Sequence, residues 1–363
     1  VSAIGKKLKG SMKYVIDLGF IGVMLWLTFR LLFKGQELGQ IIDDLTEARP
    51  EWIAAGILAV FFFVAGESSI IFYILRLFKY KRISMRKCLK YSFIGFFFSY
   101  ITPSASGGQP AQMYYMSKDG VKLGLSSLIM VLITIAYKGV LVIMGLLLMA
   151  INSSTVFRYA GKLGWLLLLG FVLNILFIGA LLYLLKRPDK VRIAGIKIVD
   201  ILTGKGIIRE GKSGKYSQKI MKICDNYTLG AVYVRENPSV MVKILLMTAI
   251  QRLCLFSVTW IVYKAYDLSG VSYFNILTLQ VMIGVAVEML PLPGAAGITE
   301  GCFILSFGRI FGKELVKPAL LISRGLSFYL LLIVGGIVTL AAHIIVMRKD
   351  KKELEKIEKN SNQ

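Results

Sequence analysis

Residues 164–185, GWLLLLGFVLNILFIGALLYLL, run for 22 positions without a charged side chain. A hydrocarbon core about 30 Å thick takes about 20 such residues as a helix, and it offers the backbone amides no water to bond. A chain built from runs of this kind must therefore close its hydrogen bonds within helices. Five further long apolar runs, at about 12–33, 52–78, 126–151, 240–263 and 319–346, repeat the signal. With 56% hydrophobic residues and a mean hydropathy of +0.68, no large soluble domain is left over. The sequence predicts an all-α polytopic membrane protein with six full spans. The basic flank at residues 1–13 leads into an apolar run longer than the roughly 7–15 residues of a signal-peptide core, which predicts a retained first helix.

Two other apolar segments, near 91–116 and 273–311, carry breaks that a continuous membrane helix would not hold. In IGVAVEMLPLPGAAGITEG, residues 283–301, Glu288 and Glu300 flank Pro291, Pro293, Gly294 and Gly297. Proline removes a backbone donor and glycine adds freedom, so residues 290–297 are predicted to be unwound. Bare backbone at membrane depth survives only inside protein or against a polar cavity, which points to a substrate path. IGFFFSYITPSASGGQPAQM, residues 94–113, repeats the pattern. One offset of 189 pairs Ile94 with Ile283, Gly95 with Gly284 and Gly108 with Gly297, while Pro103 and Pro293 miss it by one residue.

Lysine and arginine in the connections predict the orientation. Residues 1–13, 76–90, 117–124, 186–239 and 348–363 hold 31 of them, whereas 34–51, 152–163, 263–272 and 308–317 hold 8. Both termini are thereby expected in the cytoplasm. The first broken segment, between spans 52–78 and 126–151, then opens from the cytoplasmic side, and the second, between 240–263 and 319–346, from the other. This predicts an inverted-topology repeat of about 51–151 and 240–346 within a membrane domain of 1–350, the arrangement many transporters use to hold a site near the midplane. Re-entrant hairpins and short spanning pairs give the same parity. The 14 residues of 298–311 fall short of the roughly 17 a span needs, which favours re-entrant hairpins.

The connection 186–239 is expected to be a cytoplasmic amphipathic insert. Ile220, Ile223, Tyr227 and Ala231 fall at helical spacing opposite Lys219, Lys222 and Asp225, as in a basic helix lying on the inner leaflet. Residues 206–213, GIIREGKS, match the phosphate-loop pattern letter for letter, but that motif works only between a strand and a helix, for which there is no room here. The net charge of +23 could suggest nucleic acid, yet the cations sit beside membrane segments and fit anionic lipid headgroups instead. Four cysteines without a CxxC pair and a single histidine leave no metal site, and no cofactor is expected. Residues 351–363 are read as a charged cytoplasmic tail.

Six ionisable residues fall within apolar segments: Glu67, Lys138, Arg252, Glu288, Glu300 and Arg324. Each would cost on the order of 3 kcal/mol facing lipid, so each should face protein or water. One reading makes them staples, with Glu67 paired to Lys138 or Arg252 and Glu300 to Arg324. The other, which the neighbouring breaks favour, is a polar cavity whose cations meet an anionic headgroup. Ser104, Ser106, Gly107, Gly108, Gln109 and Gln112 at the first break, with Pro293, Gly294 and Gly297 at the second, complete the candidate cavity. Asn174 is expected to make an interhelical hydrogen bond.

The segments ITPSASGGQPAQMYYM (101–116), PLPGAAGITEG (291–301) and SRGLSFYL (323–330) resemble the lysylphosphatidylglycerol synthase transmembrane, or flippase-like, family, over roughly residues 10–350. The resemblance implies a bacterial plasma-membrane protein that moves an aminoacylated phospholipid or a polyprenyl-phosphate lipid between leaflets. Two-domain relatives carry a soluble aminoacyl-tRNA-dependent transferase after the membrane region. The present residues hold no such catalytic domain, so a lysyltransferase label would be inherited and no catalytic residue is expected. Many relatives carry an acidic residue after the first Gly-Gly, where this chain has Gln109, which removes a proton-coupling role from that position. The expected partners are anionic-phosphate lipids and no nucleic acid, with a homo-oligomer or a separate lipid-modifying synthase as protein partners. The competing classes are a secondary transporter for a small anion and an accessory subunit of such a synthase.

The charge asymmetry yields the first prediction. A cysteine introduced at Ser213 should resist a membrane-impermeant thiol reagent in intact cells and react after the cells are opened. Labelling from outside would reverse the orientation and remove the inverted repeat.

Overall fold

The computed structural model describes residues 47–102, 105–160, 163–204, 210–291, 293–295 and 297–361. The expected span 12–33, residues 103–104 and the first half of the phosphate-loop look-alike, 206–209, lie outside them. Twelve helices organise the described chain: α1 (Pro50–Leu77), α2 (Met85–Ile101), α3 (Gly108–Lys118), α4 (Leu123–Ile151), α5 (Gly164–Lys186), α6 (Pro188–Gly204), α7 (Glu210–Glu236), α8 (Pro238–Phe256), α9 (Val258–Ala265), α10 (Tyr273–Val287), α11 (Ile298–Arg324) and α12 (Leu330–Ser361). Five stretches are long and apolar enough to cross a membrane: Pro50–Leu77, Leu123–Ile151, Gly164–Lys186, Pro238–Ala265 and Ile298–Arg348. Four of them match expected spans, and the fifth contains the expected 319–346 together with the arm 298–311 of the second broken segment.

Both broken segments are interrupted where proline and glycine predicted. α2 ends at Ile101 and α3 begins at Gly108; α10 ends at Val287 and α11 begins at Ile298, with a short 3-10 turn at Pro293–Ala295 between them. Gly294 adopts a left-handed φ of 56°, and a Cβ there would run into the Phe328 ring, so both its freedom and its size are needed. Past the expected short arm, 298–311, the chain kinks at a non-helical Gly312 (φ 81°), resumes as helix to Arg324 and passes by a π segment, Gly325–Tyr329, into α12. α12 runs on from the last span through Ser361, since nothing among its Lys and Glu residues stops a helix.

α8 packs along α1 and α4, α12 along α2, and α10 along α4 and α5, so the two halves interlock instead of standing side by side. Two polar ends close the bundle. At one, the Arg49 amide donates to the Ala265 carbonyl (3.0 Å), Arg49 pairs with Asp267 (2.7 Å), Asn152 donates to Asn275 (2.8 Å), and Trp260 stacks edge-on against Trp52 and Tyr273. At the other, Asp119 receives Lys90 (2.7 Å), Tyr91 (2.7 Å) and Lys87 (3.3 Å), which ties the end of α3 to the start of α2. Burial alone would push the Asp119 carboxyl up; its two lysines and the tyrosine hydroxyl hold it below the ordinary carboxylate value.

Two expectations are corrected by packing. The apolar stripe of α7 does not lie on lipid: Cys224, Tyr227, Ala231 and Val234 are buried against the bundle, and Tyr233 stacks on Phe78 (5.4 Å). Gly124 of α4 makes this docking possible, since a Cβ there would meet the Ile223 carbonyl and, at 2.8 Å, Cβ of Asn226. Asn174 donates not to another helix but to the Gly170 carbonyl one turn back in α5 (2.8 Å), the cheapest partner for an amide inside its own helix.

Gly124→Val should therefore destabilise the protein by about 1–3 kcal/mol through overpacking, read as a lower unfolding midpoint in detergent. An unchanged midpoint would return α7 to the lipid surface.

Candidate functional site

A cavity of about 590 Å³ lies between the two breaks. From the first half it is lined by Glu67 of α1, Ser99 and Tyr100 of α2, Gln109 and Gln112 of α3, and Thr134, Tyr137 and Lys138 of α4. The second half supplies Gln280 of α10, Glu288 and Gly294 at the break, Thr299 of α11, and Ser323, Arg324 and Phe328 beyond it. Phe96, Ile133, Leu255 and Phe303 give the remaining wall an apolar character.

Glu288 is the charge centre. Arg252 grips it with two bonds, Nη1 to Oε1 at 2.6 Å and Nη2 to Oε2 at 3.0 Å, and Lys138 adds a third at 3.1 Å. Arg252 is fully buried and lies flat on Tyr137 (3.7 Å to the ring centre), with Phe256 on another side at 4.9 Å. A desolvated guanidinium gains about 2 kcal/mol from such a face, and the bidentate fork holds the carboxylate in one orientation. Lys138 is held less completely: it spends one of three donors on Glu288 and borders the cavity.

The second pair secures the break itself. Glu300, in the first turn of α11, accepts the Gly297 amide (2.5 Å) and Arg324 (2.7 Å), while Arg324 Nη2 also donates to the Gly294 carbonyl (3.2 Å). One acid and one base thus satisfy a loose amide and a loose carbonyl of the unwound strand. Arg324 stacks on Phe328 at 4.7 Å, and its Nη1 makes no hydrogen bond among the described residues.

Glu67 does not pair with Lys138 or Arg252 as one sequence reading had it. Both cations reach Glu288 instead, because that residue, at the C-cap of α10 with its amide bonded to the Gly284 carbonyl, stands between α4 and α8. Glu67 is 6% exposed and accepts Gln112 Nε2 at 2.7 Å. Gly95 permits the bond, since a Cβ there would overlap the Gln112 amide. Gln109 bonds Thr134 (2.8 Å), so both glutamines of α3 are engaged. Among the remaining sequence candidates, Ser106 and Gly294 reach the cavity wall, whereas Gly107, Gly108 and Gly297 shape the breaks behind it. The Pro293 backbone lies in the 3-10 turn, and Ser104 falls outside the described residues.

Sequence reasoning missed the aromatic floor. Tyr137 precedes Lys138, Tyr100 precedes the first break, and Phe328 lies one turn beyond Arg324. An aromatic beside each intramembrane cation was the available signal.

Fold and cavity together define a multi-pass helical membrane protein with an internal charged site at two helix breaks. The chain matches the family described as the lysylphosphatidylglycerol synthase TM region over residues 14–335, and it belongs to that family. It is thus a membrane protein linked to lipid handling. Among curated proteins and among solved structures, no match to the chain is found.

Glu288→Gln strands two cations, one of them fully buried, and should cost about 3–5 kcal/mol. Glu300→Gln should cost less, because Arg324 keeps the Gly294 carbonyl and the Phe328 face. Unfolding midpoints in detergent check the order, and equal midpoints for both variants and the parent would deny these pairs a structural role.

Proposed function

We propose that this protein carries a lipid with an anionic phosphate headgroup, such as an aminoacylated phosphatidylglycerol or a polyprenyl-phosphate lipid, between leaflets without hydrolysing nucleotide. The observation that carries this reading is the cavity bordered by a cation from each half, Lys138 and Arg324, each with donors to spare. About 590 Å³ suits a headgroup, since ligand pockets run at about 300–1,000 Å³. The first turns of α3 and α11 border the same space through Gln109 and Thr299, and half-helix N-termini favour phosphate.

On this reading the halves are inverted repeats, with α1 answering α8–α9, α2 answering α10, α3 the first arm of α11, and α4 answering α12. The packing supports it: α2 lies along α12 and α10 along α4, the two contacts that a pseudo-two-fold axis would exchange. The exposed apolar face of α5, including Trp165, Leu168, Val172 and Leu176, fits lipid contact.

Reconstitution into liposomes with labelled phosphatidylglycerol, lysylphosphatidylglycerol or undecaprenyl phosphate tests the proposal, with a membrane-impermeant reagent reading the outer leaflet. At least one lipid should equilibrate faster than in protein-free liposomes, and Lys138→Gln and Arg324→Gln should each slow it about tenfold or more, the loss of one charged contact. Folded protein that leaves every lipid at the protein-free rate would overturn the lipid reading and leave a small-anion transporter in its place.

A further inference from the structure

Counting charge around the cavity leaves one group unaccounted for. Arg252 and Lys138 share Glu288, and Arg324 pairs with Glu300, so these five carry a single excess positive charge. Glu67 makes the sixth. When ionised it brings the set to three against three; when protonated it leaves the excess in place. Among the described residues no cation lies within ion-pair distance of it, and the side chains that reach it with hydrogen bonds, Gln112 at 2.7 Å and Gln251 beside it, are neutral amides. A buried carboxyl held only by amides can exist in either state, whereas the other five are locked by one another.

We infer that Glu67 is a proton-binding site of the transport cycle, and that a lipid bearing a single phosphodiester charge enters the cavity together with one proton on this residue. The inference rests on the lipid reading above and assigns its coupling ion. An anionic headgroup entering beside an ionised Glu67 would put four negative charges against three positive ones in a cavity walled largely by apolar side chains. With the proton on Glu67, the headgroup itself becomes the third anion and the set is neutral.

Every element packed about Glu67 fits this assignment. α2 presents Tyr100, α4 presents Tyr137 and Lys138, α8 presents Arg252, and the break after α10 presents Glu288. Arg324 stands across the cavity. α9 also packs on α1, but its Tyr263 and Lys264 are bonded to the Ser269 and Leu268 carbonyls at the end of the bundle. Gln251 of α8 packs on Gly66 beside this carboxyl and offers it only a neutral amide, while Arg252 of the same helix is spent on Glu288. The proton's route is the cavity itself, which Glu67 lines.

Two consequences follow from mass and charge balance. Binding of one proton with each lipid makes affinity greatest at low pH, falling about tenfold per pH unit as pH rises above the midpoint of the lipid-free protein. A monoanion moving with one proton carries no net charge, so a pH gradient drives it and a membrane potential does not.

The test uses the whole protein. Phosphatidylglycerol in mixed micelles is titrated calorimetrically in two buffers of different ionisation enthalpy, which yields the protons taken up per lipid bound. At a pH above the midpoint of the lipid-free protein, the parent should take up about one and Glu67→Gln about none. Gln112→Leu, which removes one of the carboxylate's hydrogen bonds, should shift the pH midpoint of binding upward; this variant decides the assignment if Glu67→Gln does not fold. In liposomes, labelled phosphatidylglycerol should respond to a pH gradient and ignore a potassium-valinomycin potential. Lipid that binds or moves without proton uptake overturns this inference and leaves the lipid reading standing. Proton uptake that persists in Glu67→Gln, or a midpoint unmoved in Gln112→Leu, moves the site elsewhere. Protein that neither binds nor moves phosphatidylglycerol, lysylphosphatidylglycerol or undecaprenyl phosphate removes the lipid reading and this inference with it.

Discussion

An unwound strand inside an apolar bundle needs partners for its amides and carbonyls, and here a salt bridge provides them. Arg324 holds the Gly294 carbonyl while Glu300 holds the Gly297 amide, and the two charges hold each other at 2.7 Å. Without that arrangement the bare backbone would cost several kcal/mol per group in hydrocarbon. Glu288, at the C-cap of α10 where the break begins, meets Arg252 and Lys138, so a second charge cluster stands at the other end of the same break. The cavity exists because both are satisfied from the side and the space between them stays open.

The first break is held by other means. Thr102 Oγ1 accepts the Gly107 amide (2.8 Å) and donates to the Phe98 carbonyl (2.6 Å), a neutral cap with no ion pair. Gln109 and Gln112 then reach across to Thr134 and Glu67. The two breaks therefore divide the chemistry: neutral amides line the first, and charges fix the second. A break needs only glycine and proline near its turn, which leaves the side chains around it free to differ.

Five of the spans, both breaks and the six intramembrane charges were legible in the sequence, because length, hydropathy and proline chemistry are local properties. Partnership was not. Helical spacing says which face Glu67, Arg252 and Lys138 occupy, but which carboxylate meets which cation depends on how the end of α10 packs against α4 and α8, and nothing local specifies that packing. The same limit explains α7. Its stripe at Tyr227, Ala231 and Val234 reads equally as a lipid face or a protein face, and what decides is Gly124 on another helix, over a hundred residues away. Asn174 failed differently: a partner within its own helix was as close as any other.

Helix irregularities explain how cations reach the cavity from otherwise lipid-compatible helices. Arg324 is followed at once by the π segment Gly325–Tyr329, and Arg252 lies just before the interruption at Ser257 between α8 and α9. A regular helix continues one face at 3.6 residues per turn, so a polar residue aimed inward would drag its successors round with it. An extra residue in the turn resets that phase. Beyond the π segment Ile333, Ile337 and Leu340 face outward in α12, while Arg324, Ser327 and Phe328 keep the cavity side. The irregular turns thus separate two demands on one helix: an inner end that must hold charge, and an outer length that must meet lipid.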